Sequence, residues 1–380
     1  MRLLVYEFYS AGGTMVRNRG GSLFSKGFSM LNAVLDDFSR LPDLEIFTVL
    51  DSRLQSLFDR APYASRVHLA VTAANSNERV EPEPGFTLNR KQGAGAFAAA
   101  LRQCEGAVII APEMGGLLAQ LTARVEGEGK PVLGSAATAV TIAADKAWSL
   151  KLFQEAGLLT PKSKVFSRVA DGGVNPFPVN RFPGPVVVKP VDGAGSLGIT
   201  LVRDQGQWEI ALKRVAATTD HPSFLVQEYV AGEPVSVSCL VVPPQNKEGP
   251  GHGRQPGKGV VLPLTINRQL IASDNLNFLG VTVPYPHQQA QIALDTARKA
   301  CEVIPGLAGF VGVDLVLSSR GPVIMEVNPR VTVAYIALRE VVNVNLAQYI
   351  MATCLDRRLP PLPQITGQFT YQVSEGKNMF

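Results

Sequence analysis

In the stretch VIMEVNPRVTV, residues 323–333, a carboxylate, an amide and a guanidinium fall at every second position: Glu326, Asn328 and Arg330. The intervening Val323, Ile324, Met325 and Val327 suit a covered strand. Residues i and i+2 of a strand share a face, so Glu326 and Asn328 point together while Met325 and Val327 point away. Pro329 cannot donate to a ladder; the strand is expected to end there, with Arg330 leaning back over the same face. A carboxylate beside a side-chain carbonyl is an all-oxygen set suited to Mg²⁺. A nearby arginine suits a phosphate. A strand end that is merely polar is equally compatible with this segment taken alone.

A second acidic residue sharpens the choice. GFVGVDLVL places Asp314 inside an apolar strand, where aspartate is depleted and rarely buried unpaired. The turn SSRGP is expected to fold this strand back beside the one carrying Glu326. Two carboxylates and Asn328 then converge, as two or more hard-cation sites bridging nucleotide phosphates would require. The plainer alternative is one aspartate paired with an arginine.

VVVKPVDGAGSLGI contains Gly193, Gly195 and Gly198, a literal G-x-G-x-x-G. A dinucleotide fingerprint needs a helix opening at that loop. The residues that follow, ITLV, are β-branched and strand-forming, so the loop joins two strands and the dehydrogenase reading loses its physical basis. A glycine hairpin can still cover phosphates with its backbone N–H groups. Ser196 adds a hydroxyl, and Lys189 sits on the preceding strand among Val187, Val188 and Pro190, where a buried charge needs a partner. A tight hairpin without a ligand is the competing reading. FLVQEYVAGE is an apolar strand broken by Gln227 and Glu228 and released at Gly232; these side chains, with backbone at Glu228 and Val230, suit an adenine, or form an ordinary strand edge. Lys146, in AADKAWS, reads by itself as a helical and solvated lysine.

The elements that must position these residues change in kind along the chain. Residues 1–135 alternate strand and helix: RLLVYEF, then the amphipathic FSKGFSMLNAVLDDFSRL, then LEIFTVLD, RVHLAVTA, a polar loop at 75–85, GAFAAALRQC, GAVIIAPE, GLLAQLTARVEGEG and a short strand PVLGS. Strands separated by helices imply a parallel sheet. The remainder holds two helical stretches in SAATAVTIAADKAWSLKLFQEAGL. Strands at VSVSCLVVP and VVLPLTINRQLIA flank a Gly/Pro-rich loop at 245–259. A helix HQQAQIALDTARKACEVI and a closing helical region from LRE to ATCL complete it. The expected fold class is α/β plus α+β, a parallel-sheet domain followed by a β-rich portion.

At 380 residues, two or three domains are the natural expectation. Apolar residues make up 46% and charged residues 18%, the balance of a globular chain. A net charge of +4 with scattered basic residues argues against nucleic acid. MRLLVYEFYS contains Glu7 and reads as a first strand rather than a signal peptide, and no stretch approaches a membrane span. Cys104, Cys239, Cys301 and Cys354 form no CxxC pair, and His68, His221, His252 and His287 are isolated. A zinc site or disulfide framework is not expected; free thiols in a cytoplasmic protein are.

The ordered set DK at 145–146, VVVKPVDGAGSLGI, QEYVAGE, GVDLVL and MEVNPR resembles the ATP-grasp superfamily of carboxylate–amine ligases, over roughly residues 135 to 350. The preceding segment resembles the domain that comes before the ATP-grasp fold. The resemblance implies a pre-ATP-grasp domain at 1–135, a small ATP-grasp subdomain with a glycine lid at 136–224, and a C-terminal subdomain with the metal site at 225–380. It implies ATP between the two subdomains, with Lys146 and Lys189 on phosphates, 193–198 as lid and 227–230 on adenine. Asp314, Glu326 and Asn328 would hold Mg²⁺ or Mn²⁺. Arg330, with Arg268 of TINRQ, would neutralise the transferred phosphoryl group. The family often places a ribose-binding carboxylate two residues past the hinge glycine; here Pro234 stands there and Glu233 comes one residue early, leaving the ribose contact open. VYEFYSAGG, LPDLEIFTVLD and APEMGG look most like a narrower group, the tyramine–glutamate ligase-like proteins of methanofuran-type cofactor synthesis.

No Ser-His-Asp or Cys-His constellation is present, which fits chemistry by positioning and electrostatics. The expected reaction is ATP plus a carboxylate plus an amine giving an amide, ADP and phosphate through an acyl phosphate, with glutamate and an aromatic amine as the expected pair. Two alternatives stand: another ATP-grasp ligase acting on different amino acids or a nucleotide intermediate, and a non-catalytic nucleotide-binding protein. Thr332, Tyr335 and YEFYSAGG are candidate pocket residues, and a homodimer through the first domain is open.

Overall fold

In the computed structural model, residues 1–13, 21–72, 93–167, 182, 184–244, 259–273 and 275–373 are described. The polar loop expected at 75–85 and nearly all of the Gly/Pro-rich loop expected at 245–259 lie outside them.

The chain opens on β1 (Arg2–Glu7), α1 (Gly21–Ser39), β2 (Glu45–Asp51), α2 (Gln55–Phe58), β3 (Val67–Thr72), α3 (Gly93–Gln103), β4 (Gly106–Ile110) and α4 (Leu117–Gly127). The four strands form a parallel sheet in the order β3-β2-β1-β4. β4 and the Leu3–Tyr6 stretch of β1 are buried on both faces, as central parallel strands are. PVLGS contributes only an isolated bridge, Val132 to Ala107.

Next come α5 (Ala137–Ala144), α6 (Lys146–Glu155), β5 (Ser163–Ser167), β6 (Val186–Pro190), β7 (Thr200–Val202), α7 (Gln205–Thr218) and β8 (Ser223–Glu228). Their four strands make a small antiparallel sheet, β5-β8-β6-β7, packed on Trp208 of α7. Since β8 runs to Glu228, the sheets divide beyond residue 224, at Gly232. That glycine sits at φ 153, and a Cβ there would collide with the Leu317 carbonyl.

The rest builds a six-stranded antiparallel sheet in the order β13-β12-β9-β10-β11-β14. Its elements are β9 (Glu233–Val242), β10 (Val260–Ile271), β11 (Phe278–Val283), α8 (Ala290–Glu302), β12 (Gly309–Ser318), β13 (Gly321–Asn328), α9 (Ala334–Leu338), α10 (Leu346–Cys354) and β14 (Phe369–Gln372). β5, β11, β14 and α7 are absent from the sequence reading: β5 and β14 are short and half exposed, and α7 is a polar helix.

One apolar core runs from α1 and the parallel sheet into the large sheet through α9 and α10. Polar contacts pin the same junction. Arg339 Nε donates to Asp37 at 3.0 Å, its Nη2 to Asp36 at 2.5 Å, and the Tyr335 hydroxyl to Asp37 at 2.7 Å. α1 is thereby fixed against the large sheet. Among the described residues, no helix is long and apolar enough to cross a membrane.

Candidate active site

The hairpin of β12 and β13 pairs Asp314 directly with Glu326 and Gly312 with Asn328. A one-residue turn of register follows Asp314, a bulge that re-aims the side chains. Asp314 accepts hydrogen bonds from Gln269 Nε2 at 3.0 Å and from Asn328 Nδ2 at 3.3 Å. Glu326 lies 3.1 Å from the Lys146 ammonium.

Lys146 is aimed by its neighbour. Asp145 caps α6 by accepting from the Ala147 and Trp148 N–H groups. That leaves Lys146 at the first helical position, buried, where it also donates to the Gly193 carbonyl at 2.5 Å. The residue expected to be solvated thus joins the glycine loop to the carboxylate pair. Lys189 approaches from β6 at 5% exposure; burial pushes its ammonium down to about 8, against an opposing pull from Glu326.

The two carboxylates have different environments. Burial and the Glu326 charge push the Asp314 carboxyl up. Burial also raises Glu326, but Lys146 and Lys189 outweigh it and hold that carboxyl below its ordinary range. Glu326 is therefore the committed anion, and Asp314 is left needing a proton or a cation. Two carboxylates and the carbonyl oxygen of Asn328 are a hard oxygen set that fits Mg²⁺. Among the described residues there is no cluster of three His, Cys, Asp or Glu side chains, so the third protein oxygen is the amide's.

Arg330 completes this end. Its Nε and Nη2 lie 2.8 and 2.9 Å from the two oxygens of Glu113, and Nη1 donates to the Val331 carbonyl at 3.1 Å. Burial opposes the guanidinium's charge, but Glu113 more than compensates.

Asp314, Glu326, Lys189 and Arg330 border an open cavity of about 460 Å³ walled by all three sheets. Lys189, Gly195, Ser196, Gln227, Glu228, Val230, Asp314, Glu326, Asn328 and Arg330 line it, as does Thr332. The fully buried Gln227 donates to Ser163 Oγ at 3.0 Å, while its Oε1 has no partner. That orphaned acceptor fits the amino group of an adenine. The Glu228 carboxylate is already held by Arg320 at 2.7 Å and its N–H by the Lys162 carbonyl.

Gly195 and Ser196 both take positive φ, 63° and 66°. The glycines were expected to give room for phosphates. Around Gly193 and Gly198 the space a Cβ would take is instead crowded by Pro190, and around Gly195 by Leu23 of α1. Asp192 ties the same loop to the first domain by accepting from the Gly115 N–H at 3.0 Å.

Lys146, Gly193 and Gly198 stand behind the cavity lining, and three further expected residues lie outside it. Arg268 is exposed and lies over the Tyr285 ring at 5.6 Å, because strand alternation turns it away from the face that carries Gln269. Glu233 is exposed and accepts from the Tyr285 hydroxyl. Tyr335 is fully buried on Asp37. Glu7 of the expected YEFYSAGG segment lines the cavity, whereas Glu113, Gln269 and Lys26 belong to the site without being expected there from the sequence. The signal for Gln269 was one residue from the residue chosen; the APEMGG stretch was noticed without its glutamate.

The ATP-grasp domain family matches residues 143–248 and 256–334, and the pre ATP-grasp 3 domain family matches residues 44–140. The chain belongs to the ATP-grasp superfamily. It is similar to the tyramine–L-glutamate ligase of Methanocaldococcus jannaschii, 25% identical over 94% of this chain and 90% of the relative. It is also similar to that of Methanocaldococcus fervens, 29% identical over 89% of each chain. Among solved structures, an ATP-grasp superfamily protein from Archaeoglobus fulgidus shares the fold, with a TM-score of 0.64 and 19% identity over 98% of this chain and 92% of that one.

In this ATP-grasp protein a further wall of the cavity is built by the first domain. Leu23, Lys26, Gly27 and Met30 follow helical spacing and present one face of α1. Glu7, at the end of β1, accepts from the Tyr9 N–H at 3.1 Å, the Ser10 N–H at 2.7 Å and the Ser10 hydroxyl at 2.5 Å. Burial nonetheless pushes its carboxyl up to about 7.

Proposed function

We propose that this protein is an ATP-dependent ligase that joins the carboxylate of glutamate to tyramine or a related aromatic amine. The observation that carries the reading is the meeting, in one cavity, of Asp314, Glu326 and Asn328 with Lys189 and Arg330, with Lys146 held on Glu326 at 3.1 Å. A carboxylate resists attack because its leaving group is poor. Transfer of the γ-phosphoryl group to a carboxylate oxygen gives an acyl phosphate and ADP. The amine then attacks the carbonyl carbon, phosphate departs with the C–O bonding pair, and the amine gives up its protons to solvent.

Charge accumulates on the transferred oxygens, where pre-placed cations act without a protein nucleophile. Lys146 and Lys189 hold the phosphates, Arg330 neutralises the phosphoryl group in transit, and Gln227 Oε1 accepts from adenine. Bound to Asp314, Glu326 and Asn328, Mg²⁺ would supply Lewis-acid neutralisation of phosphate charge. The 193–198 loop covers the phosphates and excludes water from the acyl phosphate. The two Methanocaldococcus relatives support the choice of glutamate and tyramine.

The test is ADP release with Mg²⁺–ATP, glutamate and tyramine, with mass spectrometry of the mixture. A glutamyl amide of tyramine is the expected product. ADP release that no carboxylate and amine pair stimulates would defeat the reading.

A further inference from the structure

Lys26 is a cation with no evident employment. It is 7% exposed on the cavity-facing side of α1. Among the described residues no carboxylate pairs with it; its only close electrostatic neighbour is the ring of Phe278, 5.2 Å away. Lys189 and Arg330 both feel Asp314 and Glu326, whereas burial alone perturbs Lys26, taking its ammonium down to about 8. A buried ammonium without a counter-charge is unfavourable unless something of opposite sign arrives.

Its location restricts what arrives. Phe278 begins β11, and the sheet order puts β11 three strands from β12, roughly 14 Å at ordinary strand spacing. Lys26 therefore sits about three strands from the Asp314 hairpin, beside the part of the cavity walled by Met30, Leu276, Phe278 and Val281. An ammonium there repels an incoming amine and selects an anion that is not being phosphorylated.

We propose that Lys26 is a specificity-determining residue that binds a non-reacting carboxylate of a substrate, carried either by the acid or by the amine. The inference rests on the carboxylate–amine ligase reading. It makes the pocket selective for acids with a second carboxylate, such as glutamate, or for amino acids over their decarboxylated amines. Losing one charge-assisted contact in a desolvated site corresponds to a change of about 10- to 100-fold.

The experiment compares kcat/KM in the wild type and Lys26→Met for two substrate pairs. With tyramine fixed, glutamate is set against 4-aminobutanoate, which lacks the α-carboxylate. With glutamate fixed, tyrosine is set against tyramine. Collapse of the first selectivity ratio by about 10-fold or more assigns the carboxylate to the acid; collapse of the second assigns it to the amine. Lys26→Arg, which keeps the charge, should restore part of the lost ratio. Equal losses on both members of both pairs would overturn the proposal, as would an ADP dissociation constant raised 10-fold or more in Lys26→Met, which would make Lys26 a phosphate ligand. If the wild type makes no amide from any of these pairs, the ligase reading itself has failed and takes the proposal with it.

Discussion

The two ends of the cavity are built on opposite principles. At the phosphate end charges gather in mutual contact: Glu326 with Lys146, Arg330 with Glu113, Asp314 with Gln269 and Asn328, and Lys189 buried beside them. On the α1 side the charges are few: Glu7 is held by N–H and O–H donors and feels Arg330, and among the described residues Lys26 pairs with no carboxylate. Chemistry common to a superfamily needs a rigid, mutually satisfied constellation. Selection among substrates needs groups left unsatisfied until the right molecule binds, because an unpaired buried group is what rejects the wrong one.

The comparison predicts unequal responses to mutation. Glu326→Gln removes the committed anion between two lysines. Turnover should fall by about 10³-fold, with ADP binding by calorimetry largely retained; loss of neither would favour a binding protein over an enzyme. Arg330→Met strands Glu113 as a buried charge and should lower stability by about 3–5 kcal/mol in denaturant unfolding. Adding Glu113→Gln should recover much of that stability and none of the turnover, separating the fold's need for the pair from the reaction's need for the arginine.

Lys26 should behave in the opposite way. Its folded-state pKa is depressed, from 10.5 to about 8. Between those values the unfolded chain holds more protons, so stability rises with pH there and the penalty is fully present below about 8. Lys26→Met should therefore be more stable than the wild type at pH 7, by up to about 3 kcal/mol, an advantage that shrinks as pH rises from 8 to 10.5. Parallel pH–stability curves for the two would mean the lysine is already paired. The smallest effects separate two neighbours on β10: Gln269→Ala should lower turnover about 10-fold through loss of Asp314 positioning, while Arg268→Ala, on the exposed face, stays within about 2-fold. Equal losses would show that Arg268 turns inward during the reaction.

How far the site could be read from the sequence depended on chain distance. Asp314 and Glu326 sit on two strands joined by a tight turn, so period-2 alternation and the turn residues together put them opposite each other. The same alternation that placed Glu326 and Asn328 misplaced Arg268, because nothing local says which face of an antiparallel strand looks into a cavity. Glu113 and Arg330 lie 217 residues apart, and no local pattern links them. The parallel first sheet was legible from alternating strands and helices; the division at Gly232 and the strands β11 and β14 were not.

By itself, then, the sequence determined the local geometry of this protein: which side chains share a strand face, and which loop lacks Cβ atoms. Those follow from dihedral preferences and side-chain period, which act over a few residues. The tertiary structure alone decided that α1 closes the large sheet's cavity, that Lys146 reaches Glu326, that Arg330 meets Glu113, and that Lys26 is buried with no carboxylate paired to it among the described residues. Such outcomes depend on which apolar surfaces pack against each other across hundreds of residues, and burial is non-directional: it brings elements together without recording in any short segment which charges will meet.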